Sequence, residues 1–206
     1  MKNRVAPVES KTKEVAIRGR LSLDGSGESS VSTGIGFLNH MLELFAKHGL
    51  FNLKLRAKGD LHIDLHHTNE DVGLALGEAF RRALGDKKGI RRMGSAFVPM
   101  DESLARVRVV ADASGRPFFR LDWNARQARD RFLRGTRTIY GLEDARHFLE
   151  SFAASSGLTL HVDVLKAGGD LHHLLESVFK ALGRALRDAV ERDPRVKGIP
   201  STKGKL

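Results

Sequence analysis

A pattern of histidine and glutamate residues occurs twice in this chain, and the duplication limits the folds that the sequence can form. In each copy a lone histidine precedes the motif His-His-x-x-Glu, by 26 residues in the first copy and 25 in the second. The first copy, residues 40–86, contains His40 and His66-His67-Thr68-Asn69-Glu70; the second, residues 147–188, contains His147 and His172-His173-Leu174-Leu175-Glu176. A duplicated fold needs to repeat only its apolar pattern. The repeated histidines and glutamates therefore predict two metal sites related by a pseudo-twofold axis.

The apolar pattern predicts the same order of elements in each half: strand, turn, strand, helix, strand and helix. The first strands, near 15–23 and 104–111, each lead to an Asp-x-Ser-Gly turn. The predicted helices are near 36–48, 69–85, 142–156 and 172–192, and strands at 51–57 and 158–165 lie between them. A polar, glycine-flanked segment at 85–89 predicts the boundary between a first half-domain, 1–88, and a second, 89–206. This order favours an α+β fold of two duplicated α/β half-domains.

Composition excludes several classes of function. The chain has no cysteine, which excludes disulfides, thiolate metal sites and cysteine nucleophiles and is typical of a cytoplasmic protein. Neither a signal peptide nor a membrane span is predicted. The net charge of +10 permits nucleic-acid binding, but the basic residues are dispersed and there is one Tyr and one Trp for base stacking. We therefore expect an anionic small molecule as partner, with no nucleic acid and no membrane.

Helical geometry indicates how the repeated residues divide between ions. His66 and Glu70 are four residues apart and share a helix face, whereas adjacent histidines point about 100° apart, so one ion cannot easily take both. The six histidines and two glutamates then form two sites, each of three imidazoles and one carboxylate. Such a site selects Mn, Fe, Co, Ni or Zn without choosing among them. The alternative is that these are surface residues at helix starts that bind no metal. His62 and His161 are also interpreted as non-ligands, because each lies in a strand pattern without a clear counterpart in the other half.

In these residues the chain resembles the imidazoleglycerol-phosphate dehydratases, and the matching segments follow the family's order over nearly the whole chain. They are Gly36 to Leu42, Gly59 to Asp64, His66 to Asp71, Gly89 to Arg92, Pro99 to Glu102, Ser114 to Pro117, His172 to Glu176 and Pro200 to Gly204. The sequence departs from the family at Leu65, at Asp170, at Arg146 and over 118–140.

The resemblance implies an enzyme that dehydrates imidazole glycerol phosphate to imidazole acetol phosphate in L-histidine biosynthesis. It implies helices packed between two mixed β-sheets, two Mn²⁺ ions per subunit, and a homo-oligomer of twenty-four subunits with the metal sites between subunits. The metal ligands would be His40, His66, His67, Glu70, His147, His172, His173 and Glu176. The phosphate of the substrate would contact Arg92, Arg116, Ser201, Thr202 and Lys203.

Two residues are the candidates for proton transfer. Glu14 matches a substrate-contacting glutamate of the family and is the expected base, while its duplicate Glu102 is expected to be structural. His48 is expected to contact the substrate or shuttle a proton, the alternative being a core or helix-cap histidine. Two rival functions remain open at this point: a metal-dependent phosphatase or hydrolase using the same ligands, and a basic RNA-binding protein.

Overall fold

A computed structural model describes residues 4–110, 117–124 and 140–204, and within them one order of elements occurs twice. The first half contains β1 (Val5–Lys11), β2 (Ala16–Ser22), β3 (Ser29–Ser32), α1 (Gly36–Gly49), β4 (Asn52–Lys58) and α2 (His66–Leu84). The second half contains β5 (Met93–Met100), β6 (Ser103–Val110), β7 (Phe118–Asp122), α3 (Leu142–Ser156), β8 (Thr159–Lys166) and α4 (Leu171–Val190).

Each half builds a mixed four-stranded sheet with the same topology. The strand orders are β1-β2-β4-β3 and β5-β6-β8-β7. The β3–β4 and β7–β8 pairs are parallel and the others antiparallel. In β2, the buried Ile17 and Leu21 alternate with the exposed Arg18 and Arg20, so one face is apolar and one is charged. The α+β prediction of two duplicated halves is confirmed.

The sequence prediction differs from the structure mainly at element ends and at two strands. The helix expected from residue 69 begins at His66, because the Asp64 side chain accepts a hydrogen bond from the His66 N–H at 2.7 Å. Strands β1 and β5 were not predicted. Both lie at sheet edges, and each contains a proline, Pro7 in β1 and Pro99 in β5. Proline weakens the strand pattern in the sequence, and an edge strand tolerates it because one side of that strand needs no hydrogen bond to a neighbouring strand.

The helices form a layer between the sheets and pack across the two halves. Helix α1 packs against α4, and α2 against α3, while α2 and α4 also cover the apolar faces of their own sheets. Buried apolar side chains of both halves form one cluster. The predicted boundary at 88/89 falls in the connection between α2 and β5, and the division into half-domains stays a prediction. Among the described helices, none combines the length and apolar character that crossing a bilayer requires.

Glycines allow the helix pairs to approach closely. A Cβ atom on Gly183 of α4 would lie 2.5 Å from the Phe45 carbonyl oxygen of α1. The duplicate contact joins Gly77 of α2 to α3, where a Cβ would lie 2.6 Å from the Phe152 carbonyl oxygen. Both distances are too short for a side chain, so the backbones can cross at this separation only with glycine at these positions.

We expect Gly183→Ala to lower the free energy of unfolding by about 1–3 kcal/mol, since the added methyl group overpacks the crossing of α1 and α4. Gly36→Ala is the matched control, because a Cβ there meets no heavy atom within 4 Å. Urea unfolding of the metal-free variants at equal protein concentration measures both. Equal stability of the two variants would contradict the proposed role of the crossing.

Candidate metal centre

The first cluster of candidate metal-ligand side chains joins the two halves of the chain. His40 lies on α1, whereas His172 and Glu176 lie on the first turns of α4. Glu176 Oε1 is 2.7 Å from His40 Nε2 and 3.1 Å from His172 Nε2. One ligand atom from each of the three lies within 4.8 Å of the others. The lone histidine of one half thus meets the paired motif of the other half.

The electrostatics of this cluster keep Glu176 ionised. Burial raises the pKa of the Glu176 carboxyl, but hydrogen bonds from Lys180 and His40 outweigh it, and the result is a pKa of about 2. The Lys180 ammonium is 2.7 Å from Glu176 Oε2, opposite the oxygen that faces the histidines. Sequence reasoning missed Lys180, although a lysine four residues after a helical glutamate is a recognisable signal.

The second cluster duplicates the first, but here the lone histidine comes from the second half and the paired motif from the first half. His66 Nε2 is 3.4 Å from Glu70 Oε2 on α2, and the His66 ring centroid is 5.0 Å from that of His147 on α3. The start of α3 is attached to α2 by Asn69, whose Nδ2 donates to the Asp144 carbonyl oxygen at 2.8 Å.

A buried hydroxyl completes this attachment. Tyr140, immediately before α3, is fully buried, and its hydroxyl donates to Asn69 Oδ1 at 3.0 Å. Because His147 lies about two turns after Tyr140, the bond positions that histidine against α2. Tyr140 and Asn69 were not among the predicted site residues, and their role follows only from this tertiary contact.

The two clusters differ in how their glutamates are held. The position that corresponds to Lys180 in the first half is Leu74, and among the described residues no lysine is paired with Glu70. The Glu70 side chain is 46% exposed, whereas that of Glu176 is 9% exposed. The cluster around Glu176 is therefore the more fully preformed of the two.

The second histidine of each pair faces away from these clusters and toward carboxylates. His67 Nδ1 is 2.9 Å from Asp60, and His173 Nδ1 is 3.1 Å from Glu102. These hydrogen bonds raise the pKa of both histidines. A carboxylate on Nδ1 fixes the ring, and Nε2 is then the atom that binds a metal in ligating histidines. In this chain His173 Nε2 lies 3.6 Å from Asp101 Oδ2, so that histidine has a carboxylate on each side. Asp60 is a further residue that sequence reasoning did not single out.

The duplicated glutamates lie beside these outward-facing histidines. Glu14, in the connection between β1 and β2, has its Oε2 3.9 Å from His67 Nδ1. Glu102, in the turn between β5 and β6, contacts His173 and accepts backbone N–H groups of Gly169 and Asp170 at 3.3 and 3.2 Å. The sequence shows no metal-spaced histidine near Glu14, and the fold places His67 there. The Glu102 contacts tie down the segment before α4, in keeping with a structural part.

Two of the departures from the family motif, Asp170 and Arg146, form contacts in or beside the first turns of helices. Asp170 caps α4 by accepting the His172 N–H at 2.7 Å. Arg146, beside His147, forms exposed ion pairs with Glu143 at 3.6 Å and Glu150 at 3.5 Å on α3. These contacts stabilise the helices without using a predicted ligand.

The candidate phosphate contacts lie near the other end of α4. The Arg92 N–H donates to the Ala189 carbonyl oxygen at 2.8 Å, and Arg92 Nη1 donates to the Pro200 carbonyl oxygen at 2.9 Å. In the turn that follows, the Lys203 N–H donates to Ser201 Oγ at 3.2 Å. The fold thus brings Arg92 next to the 201–203 turn.

These residues are remote from the first cluster within one chain. Ala189 follows Glu176 by 13 residues on α4, which is about 20 Å along a helix. Thr202 lies in the same turn as Ser201, and Arg116 lies outside the described residues. Within one chain, therefore, Arg92 and the 201–203 turn do not reach the first cluster of candidate ligands.

His48 lies near the end of α1, two turns beyond His40. Burial lowers the pKa of His48, and the nearby Lys180 and Arg184 charges lower it further. The imidazole is therefore biased toward the neutral form, in which it can accept a proton. Its part in catalysis stays a prediction.

The donor set fits a borderline divalent ion. Each cluster offers two imidazoles and one carboxylate, and the nitrogens of the first cluster converge on one carboxylate oxygen. The expected third imidazole is missing from each cluster within one chain, because His67 and His173 face elsewhere. Their ring centroids are 6.1 and 6.3 Å from those of their neighbours His66 and His172.

Comparison with known proteins identifies the family. The family model described as imidazoleglycerol-phosphate dehydratase matches residues 33–186. The chain belongs to the imidazoleglycerol-phosphate dehydratase family. It is therefore an enzyme of the hydro-lyase class that acts in histidine biosynthesis.

Individual members resemble the chain over its full length. The imidazoleglycerol-phosphate dehydratase of Clostridium botulinum (strain Kyoto / Type A2) is 52% identical over 206 residues, which is 100% of both chains. That of Thermoanaerobacter pseudethanolicus is 52% identical, covering 98% of this chain and 100% of the relative. The Staphylococcus aureus crystal structure has a TM-score of 0.74 and 34% identity, with 92% and 99% coverage. The Pyrococcus furiosus structure has a TM-score of 0.76 and 31% identity, with 96% and 99% coverage.

We expect Asp60→Asn to lower the pKa of His67 in the metal-free protein toward its ordinary value of 6.5, since the Asp60 hydrogen bond is the largest cause of the raised pKa. Because the pKa of His67 is higher in the folded state than in the unfolded state, the contact stabilises the fold at pH values below the unfolded-state pKa. This contribution to stability is lost as the pH rises through the folded-state pKa. Histidine ring resonances followed by NMR against pH measure the shift. Asp64→Asn is the control and should have a smaller effect; an unchanged His67 titration in Asp60→Asn would refute the assignment.

Proposed function

We propose that this chain catalyses the metal-dependent dehydration of imidazole glycerol phosphate to imidazole acetol phosphate. Membership of the dehydratase family over the whole chain supports the reaction. The observation that carries the metal dependence is the meeting of His40 with His172 and Glu176 across the two halves. Histidines that only pack in the core or lie on the surface do not need to meet around one carboxylate. A hydro-lyase could use such a set of side chains to hold a catalytic metal ion.

Two Mn²⁺ ions per subunit are the proposed cofactors. His40, His172 and Glu176 would hold one, and the cluster of His66, Glu70 and His147 the other. When bound, such ions supply Lewis acidity and a fixed attachment point for the imidazole ring of the substrate. Imidazole and carboxylate ligands are compatible with manganese, and the geometry of the donors does not exclude the other borderline ions.

Glu14 is the proposed general base. Dehydration removes a proton from one carbon and hydroxide from the neighbouring carbon, which together make one molecule of water, and it leaves the enol of the ketone product. A carboxylate beside a histidine that is proposed to bind metal suits the proton transfer. The Glu14 side chain is 55% exposed and lies within 3.9 Å of His67, so it is open to a substrate placed at that histidine. His48 is the proposed second proton-transfer residue.

The active site is proposed to be completed by other copies of this chain. Within one chain each cluster lacks a third imidazole, while His67 and His173 point outward with Nδ1 held by a carboxylate. The proposed phosphate contacts Arg92, Ser201, Thr202 and Lys203 lie about 20 Å from the first cluster along α4. Arg116, the other proposed phosphate contact, is outside the described residues. Association that brings these groups together supports a homo-oligomer, which we propose has twenty-four subunits.

The direct test incubates the manganese-loaded protein with imidazole glycerol phosphate and measures the ketone product and free phosphate. We expect ketone without phosphate release, and Glu14→Gln should lower kcat by about 10² or more while retaining metal. Metal should remain because Asp60, not Glu14, makes the close contact with His67. The exposed Glu28→Gln is the control and should match the unmodified protein.

Two results would contradict this assignment. Release of phosphate without ketone would establish a phosphatase or hydrolase. Turnover of Glu14→Gln at the unmodified rate would remove Glu14 as the base and leave the dehydration itself unaffected.

We expect chelation of the metal to split the assembly into smaller oligomers, because ions held between subunits contribute free energy to association. Analytical ultracentrifugation before and after complete metal removal measures the change, and His173→Ala should reproduce it with metal present. Lys203→Ala serves as the control that keeps the full assembly. A sedimentation profile unaffected by metal removal would rule out metal sites between subunits.

A further inference from the structure

The outer face of the first sheet, opposite the helix layer, carries a group of basic side chains. They alternate along β1, β2 and β4 with buried apolar residues such as Val8, Ile17 and Leu55, so they all project away from the core. The group, called the basic face here, consists of Lys11, Arg18, Arg20, Lys54, Arg56 and Lys58.

The basic face places like charges directly opposite one another. Arg18 is opposite Arg56, and Arg20 is opposite Lys54, in the register of β2 and β4. Like charges at such positions destabilise a sheet. Glu9 is opposite Arg18 on the other side, but the nearest cation to its carboxylate is Arg82, at 3.5 Å. In the described part of the chain, none of the six basic side chains is in an ion pair.

The second sheet shows that the fold does not require this charge pattern. Its residues at the positions of Arg18 and Arg56 are Arg106 and Asp163, which are opposite one another in β6 and β8. Asp163 accepts hydrogen bonds from Arg106 at 3.2 Å and from Arg108 at 2.9 Å. The same topology thus accommodates a carboxylate that neutralises the arginines, and the first sheet has an arginine there instead.

A groove crosses the middle of the basic face. It has a volume of about 680 Å³, and its lining includes Arg18, Arg20, Lys54 and Arg56 together with the small side chains of β3. The β3 residues in the groove are Ser30 and Ser32, whose hydroxyls are hydrogen-bond donors. Adjacent strands are about 4.8 Å apart, and alternate residues of one strand are about 7 Å apart. The Cα atoms of the four basic residues therefore lie at the corners of a small rectangle.

We propose that this groove binds a linear triphosphate anion. Four cations around one small groove match an anion with several closely spaced negative charges, and a guanidinium group pairs two phosphate oxygens at once. The groove has no aromatic side chain in its lining, so it offers nothing on which a nucleic-acid base can stack. The site is separate from the candidate metal centre, whose side chains lie on helices that pack against the other face of the sheet.

Titration calorimetry of the assembled, manganese-loaded protein tests the proposal, with inorganic tripolyphosphate that is already saturated with Mn²⁺ so that the anion does not remove the ions from the protein. Arg56→Asp introduces the residue type found at the duplicate position, so the variant should fold, and we expect it to weaken binding by about tenfold or more. Arg120→Asp makes the same change of net charge on the exposed β7 strand of the second sheet and should bind within about twofold of the unmodified protein. Dehydratase activity should be unchanged in both variants.

Further measurements identify the source of the anion and the outcomes that overturn the proposal. Equal binding of adenosine triphosphate would assign recognition to the triphosphate group of a nucleotide, and binding of tripolyphosphate alone would assign it to free polyphosphate; both support the site. Three results would overturn it: no tripolyphosphate binding, equal weakening in Arg56→Asp and Arg120→Asp, or binding of RNA alone. Loss of the assembly in Arg56→Asp would also overturn it, because the basic face would then be a subunit contact.

Discussion

The candidate metal centre depends on the close crossing of helices that belong to opposite halves of the chain. Gly183 and Gly77 let α4 approach α1 and α2 approach α3 at backbone contact distance. At this separation His40 comes within 2.7 Å of Glu176, which a wider helix spacing would prevent. Helices in proteins usually lie 8–10 Å apart, and the lower part of that range needs small residues at the contact. The candidate ligands His40, His172 and Glu176 are thus brought together by the packing between the duplicated halves.

Carboxylates then determine what each histidine can do. Asp60 and Glu102 hold the Nδ1 atoms of His67 and His173, so the outer rings are oriented with Nε2 directed away from their own supports. The inner rings, His40 and His172, instead share a carboxylate that Lys180 keeps ionised. One chain therefore contains two clusters that each lack a third imidazole, and two further histidines that face away from them. This arrangement would allow a histidine of one copy to complete a cluster of another copy.

The duplication also shows where the halves have diverged after sharing a fold. Leu74 stands where the second half has Lys180, which leaves the cluster around Glu70 more exposed. Arg56 stands where the second half has Asp163, and the basic face of the first sheet has no ion pair within the described part of the chain. Both changes leave the strand order and helix packing intact, because the substituted side chains are not in the apolar layer. Positions that differ between the halves are therefore not required by the fold, and their residue types can serve binding instead.

The sequence by itself determined the duplicated α+β architecture, the helices and the eight ligand candidates, because apolar periodicity and residue spacing are local properties. It did not determine β1 and β5, whose pairing at sheet edges is set by partners distant in the chain. It also left open which histidine joins which glutamate. Only the tertiary structure decided that His40 joins Glu176 while His147 joins His66, since both contacts arise where helices of opposite halves cross. Helical spacing relates residues within one helix, and it carries no information about which other helix that face will meet.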